Sequence, residues 1–352
     1  MRLLQIGLGI RGTQWAEIIK DYPDATVVAF VDRDAAALDH VRKVPGHDGA
    51  EFFVDLEEAL KRVEADAALI ATPSRLHAEH AKQALGAGLS VMVEKPLALD
   101  VATGLEVLRQ SRATDQSIMV ADNYRYWPAE RTVRALIEEG RIGRLDSATL
   151  VDRRNMPSQT EGPWLAEIEY PQLQEIAIHH FDSLRYLFGE QPVGISVRVW
   201  NPPWSDYRHG ANTEAMIDFE TLRVSYLGTM RSHSFSFSLW IEGELGCIWT
   251  NRKYVFWRPV GSRFFRPVRL VKVPAGDGER YPRGGTTSLL DSLREATARR
   301  LVPETVGEDS IWNVAMVEAG KLSDAEERSV RMDEVLRGDT LTVDADRVDH
   351  SQ

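Results

Sequence analysis

The sequence predicts an α/β protein, with an N-terminal doubly wound parallel sheet followed by a second α/β domain built on a largely antiparallel, open-faced sheet. Three observations carry this. Short apolar runs alternate with amphipathic stretches through the first third of the chain. A glycine-rich turn directly follows the first apolar run. From Val193 onward the hydrophobic period changes to two, with no helical stretches between the runs.

In order, Leu3 to Ile6 reads as a buried strand and Thr13 to Lys20 as a helix after the glycine turn. Thr26 to Val31 is a second strand, followed by a helix over Ala35 to Lys43. Ala67 to Ala71 is a strand, His77 to Ala87 a helix, and Ser90 to Val93 a strand. A helix over Val101 to Arg112 and a strand over Ser117 to Ala121 close the series. Strands that are apolar throughout imply burial on both faces, hence a parallel sheet with right-handed crossovers. After Asn123 the spacing predicts a helix over Ala129 to Glu139 and a strand over Leu145 to Val151. The period-two segments are Val193 to Val199, Thr213 to Phe219, Arg223 to Met230, Phe235 to Glu242 and Cys247 to Thr250. Helices over Thr287 to Arg300 and Gly307 to Ala325 complete the pattern. The expected boundaries are 1–122 for the first domain and 123–341 for the second, with a polar tail over 342–352.

Bulk properties narrow the partners. The chain has 352 residues, enough for two domains, and is 43% hydrophobic and 27% charged. A formal net charge of −11 disfavours nucleic acid and anionic membranes, which leaves small molecules and other copies of the chain. With a single cysteine, Cys247, an intrachain disulfide and a multi-cysteine metal site are both excluded. The first glycine comes too early for a secretory signal, and no run is long enough for a membrane span, so a cytoplasmic location is expected.

Gly7-Leu8-Gly9-Ile10-Arg11-Gly12 lies between a predicted strand and a predicted helix. There Gly7 permits a tight turn, Gly9 lets the backbone approach a pyrophosphate, and Gly12 lets helix and strand pack closely. The helix N-terminus offers N–H groups to phosphates. Asp32 ends the second strand, twenty residues after Gly12, where a carboxylate accepts from ribose hydroxyls. The set is the fingerprint of a Rossmann dinucleotide site holding NAD. Arg33, which could pair with a phosphate, keeps NADP open.

Chemistry-bearing residues cluster at strand ends. Glu94-Lys95-Pro96 follows the strand ending at Val93, near the edge where such sheets bind ligands. An ammonium there can stabilise developing negative charge as a hydride moves. Thr72 and Pro73 leave a neighbouring strand and line the cofactor, while His77 either caps the next helix or touches the site. In Glu175 to Asp182, helical spacing places Glu175 and His179 on one face, with Asp182 a turn further on. A histidine oriented by a carboxylate is a ready acid or base near neutral pH. The same spacing could hold zinc, but it lacks a third ligand, so no metal is expected. His180 should face away from His179. Trp164 is either an apolar wall for a sugar or ordinary core.

Together these segments resemble the Gfo/Idh/MocA family, the relatives of glucose–fructose oxidoreductase and inositol dehydrogenase. The resemblance rests on the glycine turn, Ala71-Thr72-Pro73 with His77, Glu94-Lys95-Pro96, Asn123-Tyr124-Arg125-Tyr126-Trp127-Pro128, Gly140-Arg141-Ile142-Gly143 and His179-His180-Phe181-Asp182. It implies hydride exchange between a nicotinamide and a sugar, cyclitol or related polyol. Lys95 would be the catalytic lysine, and His179 the acid/base. Tyr124 and Arg125 would lie near nicotinamide and substrate, and Asn123 near the cofactor. It also implies a homodimer or homotetramer through the second sheet. One departure is Glu175, preceded by Gln172-Leu173-Gln174, where the family often carries an aspartate after glycines. Transient oxidation for glycoside cleavage and non-catalytic NAD(P) sensing stay open as alternative uses of such a site.

Overall fold

In a computed structural model, which describes residues 1–158 and 163–336, the chain divides into two compact units. Among the described residues, the first comprises Met1–Asn123 and Pro274–Val314, and the second comprises Tyr124–Val273 and Ala315–Leu336.

The first unit is a six-stranded sheet of β1 (Arg2–Ile6), β2 (Thr26–Val31), β3 (Glu51–Phe53), β4 (Ala67–Ile70), β5 (Ser90–Val93) and β6 (Ile118–Val120), in the order β3-β2-β1-β4-β5-β6. Every pairing is parallel. Its helices are α1 (Ile10–Ile19), α2 (Ala35–Val41), α3 (Leu56–Arg62), α4 (His77–Gly86) and α5 (Val101–Thr114). Leu3, Leu4, Leu69, Ile70, Val91 and Met92 are fully buried, as the unbroken apolar strands require. The order reverses beside β1, so the loops after β1 and β4 flank the position where ligands sit in such sheets. β3 and α3 were absent from the expected pattern: three residues on an edge are too few to show a period.

Aspartates start three of these helices. The side chains of Asp34, Asp55 and Asp100 accept from Ala36, Glu58 and Thr103 backbone N–H groups and so cap α2, α3 and α5. α1 differs. Its N-cap is Gly9, with no side-chain cap, so its first N–H groups are left to another acceptor.

The first unit is discontinuous: its first segment ends at Asn123, beside the expected 122/123 boundary, and Pro274–Val314 returns to it from within the expected second domain. Its helix α9 (Thr286–Thr297) buries Leu289, Leu290 and Leu293 completely. Gly285, at φ 79°, begins that helix so close to Asn123 that a Cβ would lie 2.2 Å from the Asn123 carbonyl oxygen. Tyr22 donates to Asp291 at 2.6 Å, and Met119 bridges Val306. The helix α10 (Gly307–Glu326) carries the chain onward, and its residues up to Val314 belong to this unit. The expected tail over 342–352 lies outside the described residues.

The second unit holds α6 (Pro128–Glu138), α7 (Pro163–Glu167), α8 (Ile178–Phe188), α11 (Met332–Leu336) and a nine-stranded sheet. Its strands are β7 (Leu145–Asn155), β8 (Gly194–Trp200), β9 (Asn212–Asp218), β10 (Arg223–Thr229), β11 (Arg231–Gly243), β12 (Gly246–Thr250), β13 (Val255–Pro259), β14 (Arg266–Val268) and β15 (Val330–Arg331). They run in the order β14-β13-β12-β11-β7-β10-β9-β8-β15, antiparallel except for β7 with β10. Alternation is strict on β9, where Thr213, Ala215 and Ile217 are buried while Glu214 and Met216 are exposed. The short strands β13, β14 and β15 escaped the sequence pattern, β14 because Arg266 and Pro267 leave it only Val268.

α8 is fastened by a buried ion pair. The guanidinium of Arg125 grips Asp182 with both arms, Nε donating at 2.8 Å and the second nitrogen at 2.5 Å. Both residues are buried. Replacing Asp182 with Ala strands a charge in the core and should lower unfolding free energy by roughly 3–5 kcal/mol. Urea denaturation measures this; a loss below about 1 kcal/mol would contradict the assignment.

Candidate functional site

The glycine turn is built as the fingerprint demands. Gly7 has φ 93°, and a Cβ there would lie 2.7 Å from the Ala71 backbone. A Cβ on Gly12 would lie 2.0 Å from the Gly7 carbonyl oxygen, so strand and helix are in close contact. At Gly9 a Cβ would meet nothing within 4 Å. The chain there is open where a pyrophosphate would approach, beside the uncapped start of α1. Ile10 is 71% exposed in the same turn, an apolar side chain held at the edge of that space. Asp32 stands next to it: its carboxylate accepts from Leu8 N–H at 2.7 Å and from Asp34 N–H at 2.9 Å. Those two bonds hold the carboxylate and leave further lone-pair positions for ribose hydroxyls. Arg33 is exposed. A dinucleotide fits this turn, with Gly9 and the α1 N–H groups facing its phosphates and Asp32 its ribose.

Glu94, Lys95 and Pro96 follow β5, and the Lys95–Pro96 bond is cis. Glu94 accepts from Arg11 Nε at 2.5 Å and from Trp15 Nε1 at 2.7 Å. Burial alone would raise its carboxyl pKa, but the charge and hydrogen bond of Arg11, with Trp15, hold it below the ordinary glutamate range. Arg11 also donates to the Pro282 carbonyl at 3.1 Å and lies over the rings of Trp15 and Tyr281. Arg11 and Glu94 are thus turned toward each other, joining the glycine turn to the loop of Lys95. Lys95 itself is half-buried.

Two further residues expected near the cofactor are tied to carbonyls of the protein. The Asn123 amide donates to the Gly284 carbonyl at 2.7 Å, fastening the returning segment. His77 is buried, and both its ring nitrogens face carbonyl oxygens, those of Pro96 and Thr72. Burial drives the ring's pKa down, and the two carbonyls oppose that. Thr72 is half-buried and Pro73 exposed in the loop after β4, with the Thr72 hydroxyl 3.1 Å from His80 Nδ1.

In the second unit, Gln172–Ala177 winds as a π-helix before α8, so Glu175 sits on a wider turn than the α-helical spacing assumed. Glu175 and His179 are both half-buried. Asp182, a turn further on, is committed to Arg125, with Arg185 at 3.9 Å. The same pair occupies the fork of Arg125, expected near nicotinamide and substrate, and makes it an anchor of α8. The His179 ring lies flat on Tyr124, with centroids 4.4 Å apart and 14° between planes. Trp164 has no described side chain, so neither of its two readings can be placed.

Around Tyr124 stands a polar nest that sequence reasoning missed. Arg154 donates to the Tyr124 hydroxyl at 3.3 Å and to Asp152 at 2.7 Å. Arg252, at φ 67°, pairs with Glu130 at 2.7 Å and covers the rings of Tyr124 and Phe237 at 4.4 and 3.8 Å. Burial pushes the Glu130 carboxyl up despite Arg252. The buried His180 places Nδ1 3.0 Å from the Tyr226 hydroxyl, which also accepts from Gln172 at 2.7 Å. Burial, then the charges of Arg252 and Arg154, keep His180 far below its ordinary pKa, hence neutral and structural as expected. The signal was legible on β7: Ala148, Leu150, Asp152 and Arg154 share one face by period two, so charged groups continue an apolar stripe. Among the described residues, no group of three or more His, Cys, Asp or Glu could hold a metal. No described helix is long and apolar enough to cross a membrane.

The first unit therefore defines a dinucleotide-binding domain of the oxidoreductase kind. Family models agree: one for an oxidoreductase family with an NAD-binding Rossmann fold matches residues 1–122, and the GFO/IDH/MocA C-terminal domain matches residues 131–249. The chain belongs to the GFO/IDH/MocA family of NAD-binding oxidoreductases. Among its relatives, the uncharacterized protein y4oX of Sinorhizobium fredii is 31% identical over 62% of this chain and 62% of its own length. The inositol 2-dehydrogenase of Rhizobium meliloti is 30% identical over 54% of this chain and 56% of its own. The matches thus span less than two thirds of these relatives. An Agrobacterium radiobacter oxidoreductase solved with NAD+, L-tartaric acid and magnesium is 19% identical at a TM-score of 0.84, covering 95% of this chain and 99% of that one. The WlbA dehydrogenase of Chromobacterium violaceum, solved with NADH and UDP-GlcNAcA, is 20% identical at 0.79, covering 94% and 95%. At such identities these two attest the fold.

The Arg11–Glu94 pair makes a pH-dependent contribution. Because the folded carboxyl pKa is lowered, the stabilisation is full above the unfolded value near ~4.3 and is lost as pH falls through the folded value. Glu94→Gln should therefore flatten the acid limb of a Tm-against-pH curve below roughly pH 4.3. An acid limb identical to that of the parent would contradict the pairing.

Proposed function

We propose that the chain is an NAD-dependent oxidoreductase exchanging a hydride with a secondary alcohol or ketone of a sugar, cyclitol or related polyol. The single observation that carries it is the open, uncapped turn at Gly9 with the Asp32 carboxylate beside it. When bound, nicotinamide supplies the hydride acceptor. In the oxidation direction His179 would accept the carbinol O–H proton as the hydride is given up. Lys95, an ammonium on an anchored loop, would steady negative charge on the substrate oxygen. The flat stack with Tyr124 supports His179 in that role by fixing its ring plane. Glu175 and Tyr124 are the proposed substrate contacts. The inositol 2-dehydrogenase relatives and the UDP-GlcNAcA bound in the WlbA structure support a sugar-like substrate.

The outer face of the nine-stranded sheet supports a homodimer or homotetramer. Trp240 pairs across to Trp249, and Trp249 to Phe256, with the exposed Met216 farther along the same face. That makes an apolar row of the kind oligomer interfaces bury.

Two substitutions test the reading. Lys95→Ala should lower kcat with an active polyol by roughly 10²–10³-fold while NAD affinity changes little. A rate equal to the parent's would remove Lys95 from the mechanism. Asp32→Asn removes the charge that repels a 2′-phosphate and should reduce the NAD-over-NADP preference, in kcat/KM, by about tenfold or more. An unchanged preference would mean that the ribose is read elsewhere.

A further inference from the structure

His77 opens α4 at the carboxyl edge of the parallel sheet and is 1% exposed. Its Nδ1 lies 2.7 Å from the Pro96 carbonyl oxygen, and its Nε2 lies 2.8 Å from the Thr72 carbonyl oxygen. These carbonyls belong to different loops, one after β5 carrying Lys95 and the other after β4 carrying Thr72 and Pro73. β4 and β5 pair in parallel as far as Ile70 with Val93. Beyond that point the ring spans the two loops in place of a ladder. A neutral imidazole donates from one nitrogen and a charged one from both, so the ring keeps a bond to at least one loop in either state.

The span matters because of what lies between its ends. Lys95 has Glu94 on one side, held by Arg11 and Trp15, and Pro96 on the other, held by His77. Both neighbours are anchored by buried side chains from other elements. α4 also grips Thr72 twice, at its carbonyl through His77 and at its hydroxyl through His80, 3.1 Å away. Nothing in this arrangement presents His77 to solvent or to a ligand.

We propose that His77 is a positioning residue, which fixes the Lys95 ammonium at the sheet edge by tying the Pro96 and Thr72 carbonyls to the start of α4. The proposal rests on the catalytic reading of Lys95 given above. Its content is the hydrogen bonding of the ring at these carbonyls, one donated bond from the neutral ring and two from the charged one, not the burial of a ring.

The test compares His77→Leu, which fills the space without donors, and His77→Gln, whose amide nitrogen carries two. Hydrogen–deuterium exchange of the peptide spanning 94–98 reads the loop directly. Steady-state kinetics read kcat and the KM for NAD. In His77→Leu the loop should exchange faster and kcat fall by between about tenfold and a hundredfold, since small displacements of a catalytic group act on the chemical step. KM for NAD should change by less than about threefold. His77→Gln should restore loop protection and most of kcat. Parent-like exchange in His77→Leu would overturn the clamp. So would a His77→Gln protein that is folded yet exchanges and turns over like the leucine variant. Faster exchange with an unchanged kcat would overturn the role of Lys95, and the positioning role with it. Should His77→Leu fail to fold, His77→Asn replaces it, its shorter amide reaching one carbonyl at most and predicted to exchange faster than His77→Gln.

Discussion

A buried carboxylate organises the candidate site of the first unit. Glu94 sits where β5 ends, and it accepts from the guanidinium of Arg11 and the indole of Trp15, both on α1. The first link in the chain, a glycine turn shaped for phosphates, is thereby joined to the loop that presents an ammonium. Desolvating that carboxylate would cost several kcal/mol without its partners, so the pair forms or the loop does not settle. Arg11 extends the tie to Pro282 and so draws the returning segment onto α1. The cofactor turn, the lysine loop and the segment 274–285 are consequently one mechanical unit rather than three loops.

The second unit follows a different logic. Its buried polar groups occur in compensated sets, Arg125 with Asp182, Arg252 with Glu130, and Arg154 with Asp152. Each pair removes a charge from the account of the core, and what remains is a tyrosine with a histidine stacked on one side and a guanidinium over its ring. Rigid flat surfaces of this kind hold an imidazole in one orientation.

Much of this was legible in the chain itself. The parallel strands are so uniformly apolar that burial on both faces was the only consistent reading, and the turn from Gly7 to Gly12 with Asp32 named its ligand class. The bounds of β2 and β5 coincide with the expected runs. Where reading failed, the cause was information held outside the local window. β3 is short and at an edge, and its strand character comes from pairing with β2. The return of Pro274–Val314 depends on where α9 can bury its leucines. The π-helical turn before α8 is invisible to a pattern with a fixed period. Partner choice was the hardest to foresee. Spacing placed Asp182 near His179, yet a guanidinium 57 residues away competes better for a buried carboxylate than a half-buried ring does.

The claim under all of this is that a pyridine nucleotide lies across the turn at Gly9. Calorimetric titration of NAD into the parent chain and into Gly9→Val tests it most directly, because the extended backbone at that residue (φ −64°, ψ −168°) admits a side chain and the space beyond it is open. The account predicts a single site in the parent. In the variant the melting temperature should be unchanged, with affinity reduced about a hundredfold, or ~2.7 kcal/mol. Equal affinity in the two proteins, or no heat in the parent, would contradict it.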